Sequence, residues 1–128
     1  MPRFVVHHHT FDDGDEHWDL MFEVGDVLWT WSLPVPPDLE DRLPVSARQL
    51  PDHRAAYLDY EGPVSRDRGR VRIHDRGIYR WVCDEDIAEA DMADVLQFQL
   101  DGERAHGRYR LLRAPHDGID LWRLREFA

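Results

Sequence analysis

The sequence predicts a mainly β domain, a compact closed or nearly closed β-barrel of about eight strands with one or two short helices. Three observations predict it. Apolar and polar residues alternate with period two through most of the chain, the pattern of strands with one buried face. The alternating runs are short and separated by turn residues, as in barrels and sandwiches. The 128 residues make one domain of ordinary size, able to bury a core without disulfides or structural metals.

Residues 3–9, 17–23 and 26–33 form the first three runs, rich in β-branched and aromatic residues and divided by Asp12-Asp13-Gly14-Asp15 and by Val24-Gly25-Asp26. Six of the eight prolines then fall between Pro34 and Pro63, so irregular connection is expected there and not sheet. Within it, Asp52 is placed to cap a short helix running through Tyr57. Further strands are expected over 70–75, 77–83, 95–100, 104–113 and 119–125. The acidic stretch Asp84–Asp94 reads as a second helix or a surface loop. Neither an internal repeat nor a low-complexity linker divides the chain, so a single domain over 1–128 is expected. The five tryptophans fall at strand positions, where burial is the ordinary role.

Composition narrows the function classes. The lone Cys83 cannot form an internal bridge, and the start MPRFVVHHHT lacks the charged and apolar regions of a signal peptide. Charged residues interrupt every hydrophobic run, so no membrane span is expected. The reading is a cytoplasmic, soluble monomer. A net charge of -10 argues against broad nonspecific affinity for nucleic acid. Yet the chain has no lysine, and six of its 16 arginines lie between Arg66 and Arg80, with four more between Arg104 and Arg113. Those arginines are either a locally basic face suited to phosphate or a solvated surface in a lysine-poor composition.

The segment FVVHHHTFDDGDEHWDLMFE carries the chemistry. If 17–23 is a strand, His17, Asp19, Met21 and Glu23 share one face, and Trp18, Leu20 and Phe22 share the other. On the preceding strand His7 and His9 share a side. A symmetric hairpin over Thr10–Glu16 would set His9 opposite His17 and His7 opposite Asp19, with directly opposed Cβ atoms ~5 Å apart. His9, His17 and Asp19 then form a mixed nitrogen and oxygen donor set, suited to Mn²⁺, Fe²⁺, Co²⁺ or Zn²⁺ with open positions for water or substrate. Solvated surface histidines are the plainer alternative. His17-x-Asp19 also fits the facial triad of non-haem iron oxygenases, with His106 as the third ligand. A second segment, RQLPDHRAAYLDYEG from Arg48 to Gly62, places His53 and Tyr57 four apart on one face of the expected helix. A histidine there can exchange a proton and a tyrosine can donate to phosphate; a core tyrosine and a capping aspartate fit the same spacing.

Together these segments resemble the 3′-phosphoesterase module of bacterial DNA ligase D, from Phe4 to about Trp81 and more loosely beyond. The family strand F-V-V-x-x-H followed by H-x-D matches Phe4 to His9 and His17-Trp18-Asp19. D-H-x-x-x-Y-x-D-[FY]-E-G matches Asp52 to Gly62, and D-R-G matches Asp75-Arg76-Gly77. The resemblance implies a compact β-barrel and a manganese-dependent enzyme acting on DNA or RNA–DNA 3′ ends. Such an enzyme removes a 3′ ribonucleoside or a 3′ phosphate to leave a 3′ hydroxyl for a ligase or repair polymerase. It further implies His9, His17 and Asp19 as metal ligands, and His53 and Tyr57 as phosphate-contacting or proton-transferring residues. The family pattern continues H-x-D-x-R, where this chain has Met21, and its lysine after the tryptophan strand falls near Val35. A thioether cannot grip phosphate as a guanidinium does. Arg48, Arg54 and Arg76 are the candidates to supply that contact, and a catalytically weak end-binding module is the rival reading.

Overall fold

The structure, a computed structural model, describes residues 1–82, 94–114 and 121–126. Among these residues nine strands follow in order: β1 (Arg3–Thr10), β2 (Glu16–Val24), β3 (Val27–Leu33), β4 (Val45–Arg54), β5 (Gly62–Pro63), β6 (Arg70–Trp81), β7 (Val95–Gly102), β8 (His106–Arg113) and β9 (Leu121–Glu126). All pair antiparallel in the order β1-β2-β3-β4-β9-β8-β7-β6, and β1 closes the ring by pairing with β6. The two-residue β5 pairs with β6 outside that ring. The predicted barrel is therefore present, with eight strands and no open edge around its circumference.

Period two decides what goes inside. Phe4 and Val6 of β1, Leu20 and Phe22 of β2, Trp31 and Leu33 of β3, Phe98 and Leu100 of β7, and Leu111 and Leu124 of β8 and β9 fill the interior. Aromatic edges meet aromatic faces there, with Phe22 5.0 Å from Tyr79 and 4.8 Å from Phe98 by ring centroid. Trp31 and Trp122 are buried as expected, whereas Trp81 is 36% exposed, its ring tilted against Phe22. Burial of the tryptophans thus holds for some and fails for Trp81.

A second, smaller apolar cluster lies on the outer face of the barrel. Val5, Met21 and Leu28 point outward from β1, β2 and β3 and are covered by Leu58, on a 3-10 turn over Ala55–Leu58. Another 3-10 turn spans Glu40–Arg42. These two are the only helical turns among the described residues.

Three expectations need correction. The stretch 34–63 is not all irregular, because β4 runs through it from Val45 to Arg54. Pro44 precedes that strand, and Pro51 falls where the β3–β4 register shifts, so neither removes a needed ladder bond. Asp52 caps no helix: it lies in β4, and the 3-10 turn follows Arg54 with no side-chain cap. The expected strands 70–75 and 77–83 are one strand, β6, kept continuous by a one-residue bulge opposite Val6 and His7. The acidic stretch 84–93, Cys83 and His116 lie outside the described residues. No helix among the described residues is long and apolar enough to cross a membrane.

Candidate functional site

The β1–β2 hairpin has the register the alternation predicts: His9 pairs with His17 and His7 with Asp19. All four point to the outer face, away from the apolar interior. His9, His17 and Asp19 each offer one ligand atom, and these atoms lie within 4.8 Å of one another. His17 Nε2 stands 3.2 Å from Asp19 Oδ1, and His9 Nδ1 stands 3.7 Å from Asp19 Oδ2. Asp19 is 4% exposed, and its Oδ1 has no formed hydrogen bond. A buried carboxylate oxygen facing two imidazoles, short of a hydrogen-bond partner, fits a cation at that point.

Electrostatics follow from that crowding. Burial favours the neutral acid at Asp19, but the His17 and His9 imidazoles close to its two oxygens outweigh it and hold the carboxyl below its ordinary range. Burial also opposes charge on His9, yet Asp19 and the Arg68 carbonyl raise its pKa overall. His9 Nε2 meets the Arg68 carbonyl, which can only accept. In the neutral ring the proton therefore sits on Nε2, and the Nδ1 lone pair faces Asp19, as a metal ligand requires. His7, 2% exposed, has its pKa lowered to about 4 by burial, which overcomes the opposing pull of Asp19 and the Tyr57 carbonyl.

The three donors line an open cleft of about 570 Å³. Its far wall is the corner where β4 ends and the 3-10 turn begins, bringing Leu50, Asp52, His53, Arg54 and Tyr57 to face them. His53 and Tyr57 do not share a helix face as expected. One belongs to a strand and the other to the 3-10 turn, yet the corner holds their rings 5.9 Å apart. His53 Nδ1 lies 2.9 Å from the Pro51 carbonyl and so donates to it, leaving Nε2 as the atom that can exchange a proton. Tyr57 also meets His7 edge to face.

The remaining motif residues hold the wall in place. Asp59 binds Arg3 of β1 at 2.6 Å, the Tyr60 hydroxyl donates to the Pro63 carbonyl, and Glu61 accepts from the Ile73 amide at 2.8 Å. Asp75-Arg76-Gly77 has a similar duty. The Asp75 carboxylate accepts from the Arg104 and Ala105 amides at 3.0 and 2.8 Å, pinning the β7–β8 turn. A Cβ on Gly77 would fall 2.1 Å from the Asp101 carbonyl oxygen, so only glycine lets β6 and β7 approach there.

Of the three arginines singled out, Arg54 lines the cleft. Arg48 is exposed on β4 and is not among the lining residues, and Arg76 lies beyond it, 3.3 Å from Glu103. Arg68 does line the cleft, although the sequence marks it only as one member of the 66–80 cluster. Met21 leaves no empty space for a cation, being 0% exposed and packed with Val5, Leu28 and Leu58. His106 is exposed at the start of β8, 3.5 Å from Asp101 and separated from β1 by β6 and β7. It is remote from His17 and Asp19, so the facial triad built on it does not assemble.

The model of the DNA ligase D 3′-phosphoesterase domain family matches residues 6–113. The chain is 33% identical over 114 residues to the multifunctional non-homologous end joining protein LigD of Pseudomonas aeruginosa. That match takes in 87% of this chain and 13% of the relative, so the chain spans about an eighth of the length of the protein it resembles. The family match extends across the hairpin histidines and the corner that faces them, and the chain belongs to the DNA ligase D 3′-phosphoesterase domain family.

Proposed function

We propose that this protein is a metal-dependent phosphoesterase acting on DNA 3′ ends, removing a 3′ ribonucleoside or a 3′ phosphate to leave a 3′ hydroxyl. The observation that carries the reading is one cleft holding two unlike sets of groups: His9, His17 and Asp19 on its floor, and His53, Tyr57, Arg54 and Arg68 around it. The first set suits a divalent cation of the manganese type, by its nitrogen and oxygen donors and its lack of thiolate. A divalent ion held there would supply Lewis-acid stabilisation of charge developing on phosphoryl oxygens.

The chain's own groups do the rest. His53 Nε2, freed by the bond from Nδ1 to Pro51, can pass a proton to the leaving oxygen when charged or accept one when neutral. The Tyr57 hydroxyl and the two guanidiniums orient the phosphate by donating to its oxygens. The relative's name places it in non-homologous end joining, which supports a repair setting with a ligase or polymerase taking the trimmed end.

Incubation with Mn²⁺ and a primer-template ending in one ribonucleotide or a 3′ phosphate tests the reading. Trimming by the wild type, lost in His17→Ala, is expected. No trimming by the wild type, or equal trimming by the variant, would refute it. The apolar packing of Met21 favours one second reading, an end-binding module with little turnover. In that case 3′-phosphate ends would be bound and left intact.

A further inference from the structure

The loop between β5 and β6 touches the cleft from two directions at once. Val64 N bonds the Gly69 carbonyl at 2.8 Å, and the turn between them is left-handed, with φ of 63° at Arg66, 55° at Asp67 and 79° at Gly69. Two consecutive non-glycine residues in that region cost about 1–3 kcal/mol each, so the surroundings must hold the turn in place. A Cβ on Gly69 would fall 2.0 Å from the Thr10 carbonyl oxygen, so glycine lets the loop lie directly on the end of β1. That approach brings the Arg68 carbonyl to His9 Nε2. The Arg68 side chain is held separately: Nε donates to the Ser65 carbonyl at 2.9 Å and Nη2 to Ser65 Oγ at 3.2 Å. Those bonds leave the Nη1–Nη2 edge, which can grip phosphate bidentately, without a partner among the described residues, and Arg68 lines the cleft. Arg54, the other cleft arginine, has no hydrogen-bond partner for its guanidinium among the described residues, so it is the less fixed of the two.

We infer that Arg68 is the phosphate-contacting arginine of this chain, replacing the one absent at Met21, and that its backbone carbonyl positions His9 for metal. This rests on the proposed phosphoester reading for its substrate. The carbonyl belongs to the backbone and the guanidinium to the side chain, so the two duties separate by substitution.

Calorimetry with Mn²⁺, and binding of a DNA duplex ending in 3′ phosphate to the Mn²⁺-loaded protein, should be compared in wild type, Arg68→Ala and Arg68→Lys. Arg68→Ala is expected to bind Mn²⁺ as the wild type does and to lose about ten- to hundred-fold in affinity for the phosphate end. Arg68→Lys should recover only part, lacking the fork. Gly69→Ala, which lifts the loop from β1, should weaken Mn²⁺ binding about 10–100-fold. Should Gly69→Ala not fold, long-range proton–nitrogen spectra of the zinc-loaded wild type replace it, with the His9 proton expected on Nε2. Unchanged DNA binding in Arg68→Ala overturns the phosphate role, and a His9 proton on Nδ1 overturns the positioning role. Arg68-dependent binding without cleavage supports the inference while ending the enzymatic reading.

Discussion

His9 and His17 stand directly opposite each other across the β1–β2 ladder, ring centroids 4.8 Å apart and planes at 69°. Both rings turn a nitrogen toward Asp19. His9 is raised above its ordinary pKa of 6.5, so a cation must displace its proton. Metal affinity is therefore expected to rise with pH through the range above 6.5 and to level off once His9 is neutral. Calorimetry in buffers of different ionisation enthalpy should show proton release on binding that shrinks at high pH; release that is absent at every pH contradicts this.

Stability should respond to pH through a different histidine. His7 has a pKa of about 4 in the fold against 6.5 unfolded, so between these values the unfolded chain binds the extra proton. Stability falls as pH drops through that window, by at most on the order of 3 kcal/mol for this group. Urea midpoints of the wild type should decline from pH 6.5 to 4 more steeply than those of His7→Gln. Parallel curves would show that His7 is not the titrating group.

Restoring the family arginine should harm this chain. Met21→Arg puts a guanidinium among Val5, Leu28 and Leu58 with no carboxylate in that cluster. A loss on the order of 3–5 kcal/mol is expected from an uncompensated buried charge, against less than about 1.5 kcal/mol for Met21→Leu. Denaturant unfolding of both variants checks this, and equal midpoints would mean the outer cluster opens readily.

Within Asp75-Arg76-Gly77 the aspartate should matter more than the arginine. Asp75→Ala leaves the Arg104 and Ala105 amides without their acceptor, a loss of about 3 kcal/mol. Arg76→Ala removes an exposed contact to Glu103 and should stay within about 0.5 kcal/mol, with end trimming unchanged. Reduced trimming in a fully folded Arg76→Ala would return that arginine to the substrate.

Alternation made β1 to β3 legible, because each buries one face, and the same pattern set the register that brings His9 to His17. β4 escaped it. Proline content argues against strands in general, but Pro44 and Pro51 occupy the two places a ladder tolerates them, and spacing alone cannot show that. His53 and Tyr57 were legible as partners for the wrong geometric reason, since a strand-to-turn corner brings the same spacing together as a helical turn. Arg68 was not distinguishable from its neighbours, because its place depends on a left-handed turn and on Gly69 lying against Thr10. Arg76 attracted notice by its motif, whose physical basis is the acceptor before it and the glycine after it.

The bulge in β6 carries one more consequence. His74 is skipped between Asp75, which pairs with Val6, and Ile73, which pairs with His7. Below it the strand presents Val71 to the cleft, and above it the buried Asp75 fastens a turn. Because of that extra residue, odd-numbered positions face outward below the bulge and inward above it, so the two halves of one strand serve the cleft and the interior with opposite parity.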